Sequence, residues 1–137
     1  MYKWKRFWCP TTGKIRLDYG GFLDDPESES GRLPNADVVS FSKISHISCL
    51  ILLGEPGIGK TTATQEAYKH VCNQVRESED TCLWFNLGNY DSDKDLCDAI
   101  FRSETFTTWL HGNHKLHLFL DSLDEGLLSI KILVRIL

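Results

Sequence analysis

The sequence has no apolar segment that approaches the ~20 residues needed to cross a bilayer, and residues 1–8 lack the apolar core of a signal peptide. It has no excess of positive charge, since the net charge of -4 gives no electrostatic case for nucleic acid or an anionic membrane as main partner. Its five cysteines include no C-x-x-C pair, and Cys49 and Cys82 lie in apolar runs, as reduced core thiols do. These absences predict a soluble, cytoplasmic protein without a membrane partner.

The first third of the chain, residues 1–45, has its own pattern. An aromatic and basic stretch at 2–8, a turn at 10–13 and an alternating stretch at 14–17 predict a small β-hairpin. Residues 24–37 are rich in Asp, Glu, Ser, Pro and Gly, which predicts a linker or surface loop. We therefore expect a separate amino-terminal hairpin and linker segment.

From residue 46 to residue 137, short apolar runs alternate with helical patterns, which is typical of βαβ units and a parallel sheet. The predicted strands are 49–53, 81–87 and 116–120, and the predicted helices are 60–76, 91–101 and 126–137. This part of the chain is predicted to be an α/β domain.

A glycine-rich loop follows the first apolar run and matches the pattern G-x-x-x-x-G-K-[ST] in full. Its residues are Gly54, Glu55, Pro56, Gly57, Ile58, Gly59, Lys60, Thr61 and Thr62. Glycines let successive backbone N–H groups turn toward phosphate oxygens, and the helix that follows adds its unpaired N–H groups. Lys60 would contact the β- and γ-phosphates and the Thr61 hydroxyl would bind Mg²⁺. A turn without a ligand would not require glycines, lysine and threonine at these positions, so the loop predicts an ATP or GTP site.

The third apolar run ends in acidic residues, as the Walker B pattern does. Asp121 is predicted to be a direct or water-mediated partner of Mg²⁺ opposite Thr61, because it follows a strand whose carboxyl end adjoins the loop. Asp124 and Glu125 come next, and either could orient or deprotonate the attacking water, with Asp124 preferred. These acids could instead cap the last helix. The complete phosphate loop upstream favours the metal-site interpretation of Asp121.

The segments GEPGIGKTT (54–62) and LHLFLDSLDEG (116–126) together resemble the NACHT group of STAND-type P-loop NTPases. WFNLGNYDS (84–92) resembles bacterial members, whereas Ser122 stands where glycine is usual in the group. The resemblance extends over about residues 46–137. It implies a three-layer α/β/α fold and an ATP- or GTP-hydrolysing switch that oligomerises on activation, in bacteria often for defence.

The resemblance also implies a sheet order of 5-1-4-3-2. In this order the phosphate-loop strand is strand 1, residues 81–87 form strand 2 and residues 116–120 form strand 3. Strands 4 and 5 are then expected beyond Leu137, and strand 4 would separate strands 1 and 3. We therefore expect an incomplete P-loop domain, the amino-terminal part of a larger one.

Two other functions stay open. One is a P-loop small-molecule or nucleoside kinase, whose loops often read GxPGxGKT. Such a kinase needs a lid with arginines, and the arginines after Lys60 are unclustered, namely Arg76, Arg102 and Arg135. The other is a module that binds a nucleotide without hydrolysing it. Release of phosphate without an acceptor would distinguish the switch from the kinase.

The pattern H-x-x-H-x-x-H at His111, His114 and His117 raises the question of zinc. Two of these histidines lie in a Gly/Asn loop and the third in a strand, so they would not share a face, and no cysteine is close in sequence. Solvated loop histidines are the better interpretation.

Overall fold

The computed structural model describes residues 5–18, 20–75 and 78–124, and the chain divides into two compact units, Met1–Gly54 and Glu55–Leu137. The described residues form a mixed α/β structure with a small antiparallel strand pair and a two-stranded parallel sheet. No helix in these ranges has the length and apolarity to span a bilayer. The predicted helix 126–137 lies outside them.

The first unit contains the antiparallel pair. Strand β1, Phe7–Trp8, pairs with β2, Val39–Ser40. Two short helices belong to the same unit, α1 at Glu29–Arg32 and α2 at Phe41–Ile44. A small antiparallel element is thus present in this segment as predicted, but it joins residues that are far apart in the sequence.

The stretch 14–17, predicted as the second hairpin strand, forms no strand. The turn before it forms as expected, because the Gly13 N–H donates to the Pro10 carbonyl (2.8 Å). Beyond the turn, the Arg16 N–H donates to the side-chain oxygen of Asn35 (2.7 Å). This backbone donor is satisfied by a side chain, so it does not contribute to a strand ladder.

Residues 24–37, predicted as a linker or surface loop, are mostly exposed and form turns around the short helix α1, with a few anchoring contacts. Ser28 caps α1 by accepting a hydrogen bond from the Gly31 N–H (3.1 Å). Asn35 is only 2% exposed, and its bond from Arg16 offsets the cost of burying the polar side chain. The polar composition that suggests a loop therefore includes residues that hold the unit together.

The second unit contains the parallel sheet and most of the helices. Its elements are α3 (Lys60–Gln74), β3 (Thr81–Asn86), a 3₁₀ turn (Leu87–Asn89), α4 (Asp93–Phe101), α5 (Glu104–Leu110) and β4 (Leu116–Asp121). β3 and β4 are parallel, with Trp84 beside Phe119. The predicted helices 60–76 and 91–101 and the strands 81–87 and 116–120 are confirmed apart from their ends, whereas α5 was not predicted.

One face of the sheet packs against α3 through an aromatic cluster. The Tyr68 ring lies edge-on to Trp84 and to Phe119, with centroids 5.4 Å apart in both pairs. Ala63 and Ala67 are buried on the same helix. The small alanines and the single large tyrosine allow α3 to lie close to the sheet.

The opposite face carries the second cluster. Leu87, Leu96 and Ile100 are buried together, and Phe85 packs against them. Because side chains alternate along a strand, Phe85 points away from the face that Trp84 shares with α3. Helices therefore lie on both faces of the sheet.

Residues 49–53 were predicted to form the first buried strand, and this prediction is wrong. No strand is formed there, and Ile51 and Leu53 are 52% and 64% exposed. Cys49 is exposed as well, so it is not the core thiol predicted from sequence. An apolar run becomes a strand only where a partner strand and a packing face are available.

Candidate functional site

The glycine-rich loop that was predicted to bind phosphate, residues 54–62, leads into the first turn of α3. Gly57 and Gly59 have φ angles of 81° and 93°, in the left-handed region that residues with a Cβ rarely adopt. Gly59 is also the N-cap of α3, and its carbonyl accepts the Ala63 N–H (3.0 Å). Lys60 and Thr61 are therefore the first residues of the helix, at the positive end of its dipole.

The loop also makes contacts within itself from Glu55 onward. The Glu55 carbonyl accepts hydrogen bonds from the Ile58 N–H (3.4 Å) and from the Lys60 ammonium (3.1 Å). The second bond brings the Lys60 charge back over the backbone of the loop. The Lys60 ammonium thus lies against the glycine-rich loop, next to the first turn of α3.

Asp121 contacts the first turn of α3. The Thr61 hydroxyl donates to the Asp121 carboxylate (Oγ1 to Oδ1, 3.1 Å), although these residues are 60 positions apart. Asp121 is the last residue of β4 and is 8% exposed. A buried carboxylate needs such a bond, because burial without a partner would be costly. The two predicted metal residues are therefore in direct contact.

The other predicted acids are placed differently. Asp124 is exposed, and Glu125 lies outside the described residues. Between Asp121 and Asp124 the backbone of Ser122 is left-handed, with φ 59°. Asp124 therefore lies beyond a sharp turn from the buried carboxylate, on a part of the chain that water reaches.

Asn86 is a further polar residue beside the predicted site, and it was not predicted from the sequence. It ends β3 beside Asp121 in the parallel register. Its side-chain oxygen accepts the Gly88 N–H (3.0 Å), which fixes the carboxamide at the carboxyl end of the sheet. A polar residue directly after a buried apolar run is the signal that could have identified it.

The contact between Thr61 and Asp121 fits Mg²⁺. Mg²⁺ prefers oxygen ligands, and in nucleotide sites it uses one or two protein oxygens together with phosphates and water. One hydroxyl and one carboxylate at hydrogen-bond distance match this requirement. Among the residues described, no group of three or more His, Cys, Asp or Glu side chains could hold a metal by itself.

The histidines of the H-x-x-H-x-x-H pattern lie on different elements. His111 is exposed after α5 and bonds through Nδ1 to the Thr107 carbonyl (2.8 Å). His117 lies within β4, beside Cys82 of β3. The structure thus gives these histidines separate surroundings.

The Cys82 thiol has a perturbed pKa although it is remote from the loop. Desolvation, followed by its hydrogen bond with Cys72, raises the pKa of Cys82 to about 12. The thiol therefore stays protonated over the ordinary pH range. Cys82 is a packing residue beneath α3 rather than a nucleophile.

Comparison with family models, with curated proteins and with solved structures found no match to this chain.

Proposed function

We propose that the chain binds a nucleoside triphosphate, ATP in the first instance, with Mg²⁺ and supports its hydrolysis as part of a signalling switch of the NACHT kind. The observation that carries the proposal is the bond between Thr61 and Asp121. It joins the last position of the phosphate-loop signature to the acid at the end of β4. Two motifs that are remote in the sequence are thereby neighbours in the way that Mg-nucleotide binding requires.

Each part of the loop has a role in this proposal. Glycines with left-handed backbone would allow N–H groups to turn toward the phosphates, the start of α3 would offer further donors, and Lys60 would supply a cation for the β- and γ-phosphates. Thr61 and Asp121 would hold Mg²⁺, which neutralises charge on the phosphates when it is bound. Water activation is assigned to Asp124 or Glu125. Asp124 suits this role because it is exposed beyond the buried carboxylate.

The NACHT assignment draws support from the strand arrangement. The resemblance implies that strands 2 and 3 are neighbours, and β3 and β4 are parallel neighbours. Helices on both faces of this sheet agree with a three-layer fold. Oligomerisation on activation is part of the proposal through the resemblance. A cytoplasmic location is included because all five cysteines are free.

A nucleotide-binding module without turnover is the second candidate. The observation that favours it is the run 49–53, which is largely exposed and precedes the loop without forming a strand. A loop without a strand to support it is less well preorganised, and catalysis depends on preorganisation more than binding does. The two candidates therefore differ in turnover rather than in affinity.

Phosphate release from ATP, with Mg²⁺ and without an acceptor, tests the proposal. We expect slow release by the wild type, a loss of about tenfold or more in Asp121→Asn, and a loss of about 100-fold in the variant that removes the catalytic base, Asp124→Asn or Glu125→Gln. Glu104→Gln, an exposed acid in α5, is the matched control and should retain full activity. Binding without release would favour the second candidate. Release that is equal in the wild type and Asp121→Asn would contradict the proposed metal site.

A further inference from the structure

The turn after β4 contains an unusual backbone conformation. Among the described residues other than glycine, Ser122 is the one with a positive φ, at 59°. A residue with a Cβ is disfavoured in this left-handed region and persists there when its surroundings hold it. The neighbours of Ser122 indicate what holds it.

On the amino-terminal side, β4 follows regular alternation. Phe119 faces α3, because its ring contacts Tyr68. Asp121 lies two residues further on the same face, which is confirmed by its bond to Thr61. If the strand continued, residue 123 would also face α3.

On the carboxyl-terminal side, alternation is broken. Leu123 packs against the cluster of Leu87, Leu96 and Ile100, on the face opposite α3. One left-handed residue thus sends the two side chains that flank it to opposite faces of the sheet. Asp121 is held by its bond to Thr61 on one face of the sheet and, through the backbone of the turn, by the packing of Leu123 on the other face.

We propose that Ser122 and Leu123 are positioning residues that set the Asp121 carboxylate for the metal, and that packing on the α4 side is coupled through them to metal affinity. This inference rests on the proposed function. Neither residue needs to touch the metal, because each acts by fixing the turn that orients Asp121. By linkage, metal binding would in return favour the packed position of Leu123.

The inference predicts a ranked effect at position 122. Glycine adopts the left-handed region freely and valine strongly resists it, with serine and alanine between them. The readout is the Mg²⁺ concentration needed to tighten the binding of a fluorescent ATP analogue. This concentration should remain the same within about twofold in Ser122→Gly and rise by about tenfold or more in Ser122→Val. Leu123→Ala should raise it by about tenfold as well, whereas Leu110→Ala, an exposed leucine of α5, should not.

Affinity for the same analogue in EDTA separates positioning from damage to the fold. It should be unchanged in all variants, since the phosphate loop is not altered. A parallel loss with and without Mg²⁺, or equal behaviour of Ser122→Gly and Ser122→Val, would overturn the inference. A wild type that binds no nucleotide would instead refute the proposed function.

A double-mutant cycle, measured by thermal unfolding, tests the inference in the absence of nucleotide. Thr61→Val removes the hydroxyl that bonds to Asp121 and should lower the unfolding midpoint of the wild type. In the Ser122→Val background the same change should lower it much less, because Asp121 is already displaced. Additive shifts would contradict the positioning role, and circular dichroism of each variant reports whether the helices remain.

Discussion

Two runs of five residues in this chain look alike in sequence and differ in structure. Residues 49–53 read CLILL and residues 116–120 read LHLFL, and both precede a motif of the predicted site. The second run forms β4, pairs with β3 and packs Phe119 against Tyr68. The first forms no strand and leaves Leu53 64% exposed. Apolar composition indicates which residues can be buried, and the available partners decide whether they form a strand.

Thiol reactivity should give the largest contrast between these regions. Cys49 is exposed in the first run, whereas the pKa of Cys82 in β3 is raised to about 12 by desolvation and its bond with Cys72. At pH 8 we expect iodoacetamide to modify Cys49 at least about 100-fold faster than Cys82, since the thiolate is the reactive form. Mass spectrometry of digests over time measures both rates.

The raised pKa of Cys82 also predicts the direction in which the stability of the fold changes with pH. A raised pKa means that the folded state favours the protonated thiol of Cys82, so its contribution to stability is present below pH 9.0 and is lost as the pH rises toward about 12. Cys82→Ala should remove that loss at high pH. Rapid alkylation of Cys82 at pH 8 in the folded protein would contradict the packed position of the thiol.

Truncation of the aromatic cluster should have the next largest effect. Phe119→Ala removes the ring between β4 and α3 and should lower the free energy of unfolding by about 3 kcal/mol, at the low end for aromatic residues because Phe119 is only half-buried. Urea denaturation followed by circular dichroism measures the change. A loss under about 1 kcal/mol would show that this packing does not hold β4 in place.

The cap of α4 should contribute less. The Ser92 hydroxyl accepts the Asp95 N–H (3.2 Å) and donates to the Asp95 carboxylate (2.8 Å). Ser92→Ala should therefore cost about 1 kcal/mol, and Ser92→Thr, whose hydroxyl can make both bonds, should retain most of the stability as a matched substitute. Equal stability of the three proteins in urea would mean that α4 begins elsewhere.

The smallest effect is expected in the first run. Leu53→Ala should change the free energy of unfolding by no more than about 0.5 kcal/mol, because the side chain is already 64% exposed. The same urea experiment compares it directly with Phe119→Ala. A loss as large as that of Phe119→Ala would place Leu53 in a core and remove the contrast between the two runs.

Sequence patterns predicted the elements whose signals are local. Helix α3 follows from its apolar stripe, α4 from the Ser92 cap, and the contact of Thr61 with Asp121 from two motifs read together. Helix α5 was missed because its threonines have low helix propensity, although Phe106 and Trp109 lie one turn apart.

Features that depend on tertiary contacts could not be predicted from the sequence. The partner of β1 is Val39–Ser40, which no turn signal near 14–17 could reveal. Whether residues 49–53 are exposed depends on the strand partners available to them rather than on their composition. The left-handed Ser122 needs packing on both sides, and serine gives no sequence signal for it.

The most direct test of the account is equilibrium binding of ATP with Mg²⁺ to the wild type and to Lys60→Ala. Loss of a charged contact to the phosphates should weaken binding by about 10- to 100-fold. Lys69→Ala, an exposed lysine of the same helix, is the matched control and should bind as the wild type does. Equal affinity of Lys60→Ala and the wild type, or no binding by the wild type, would contradict the claim that residues 54–62 bind a nucleotide.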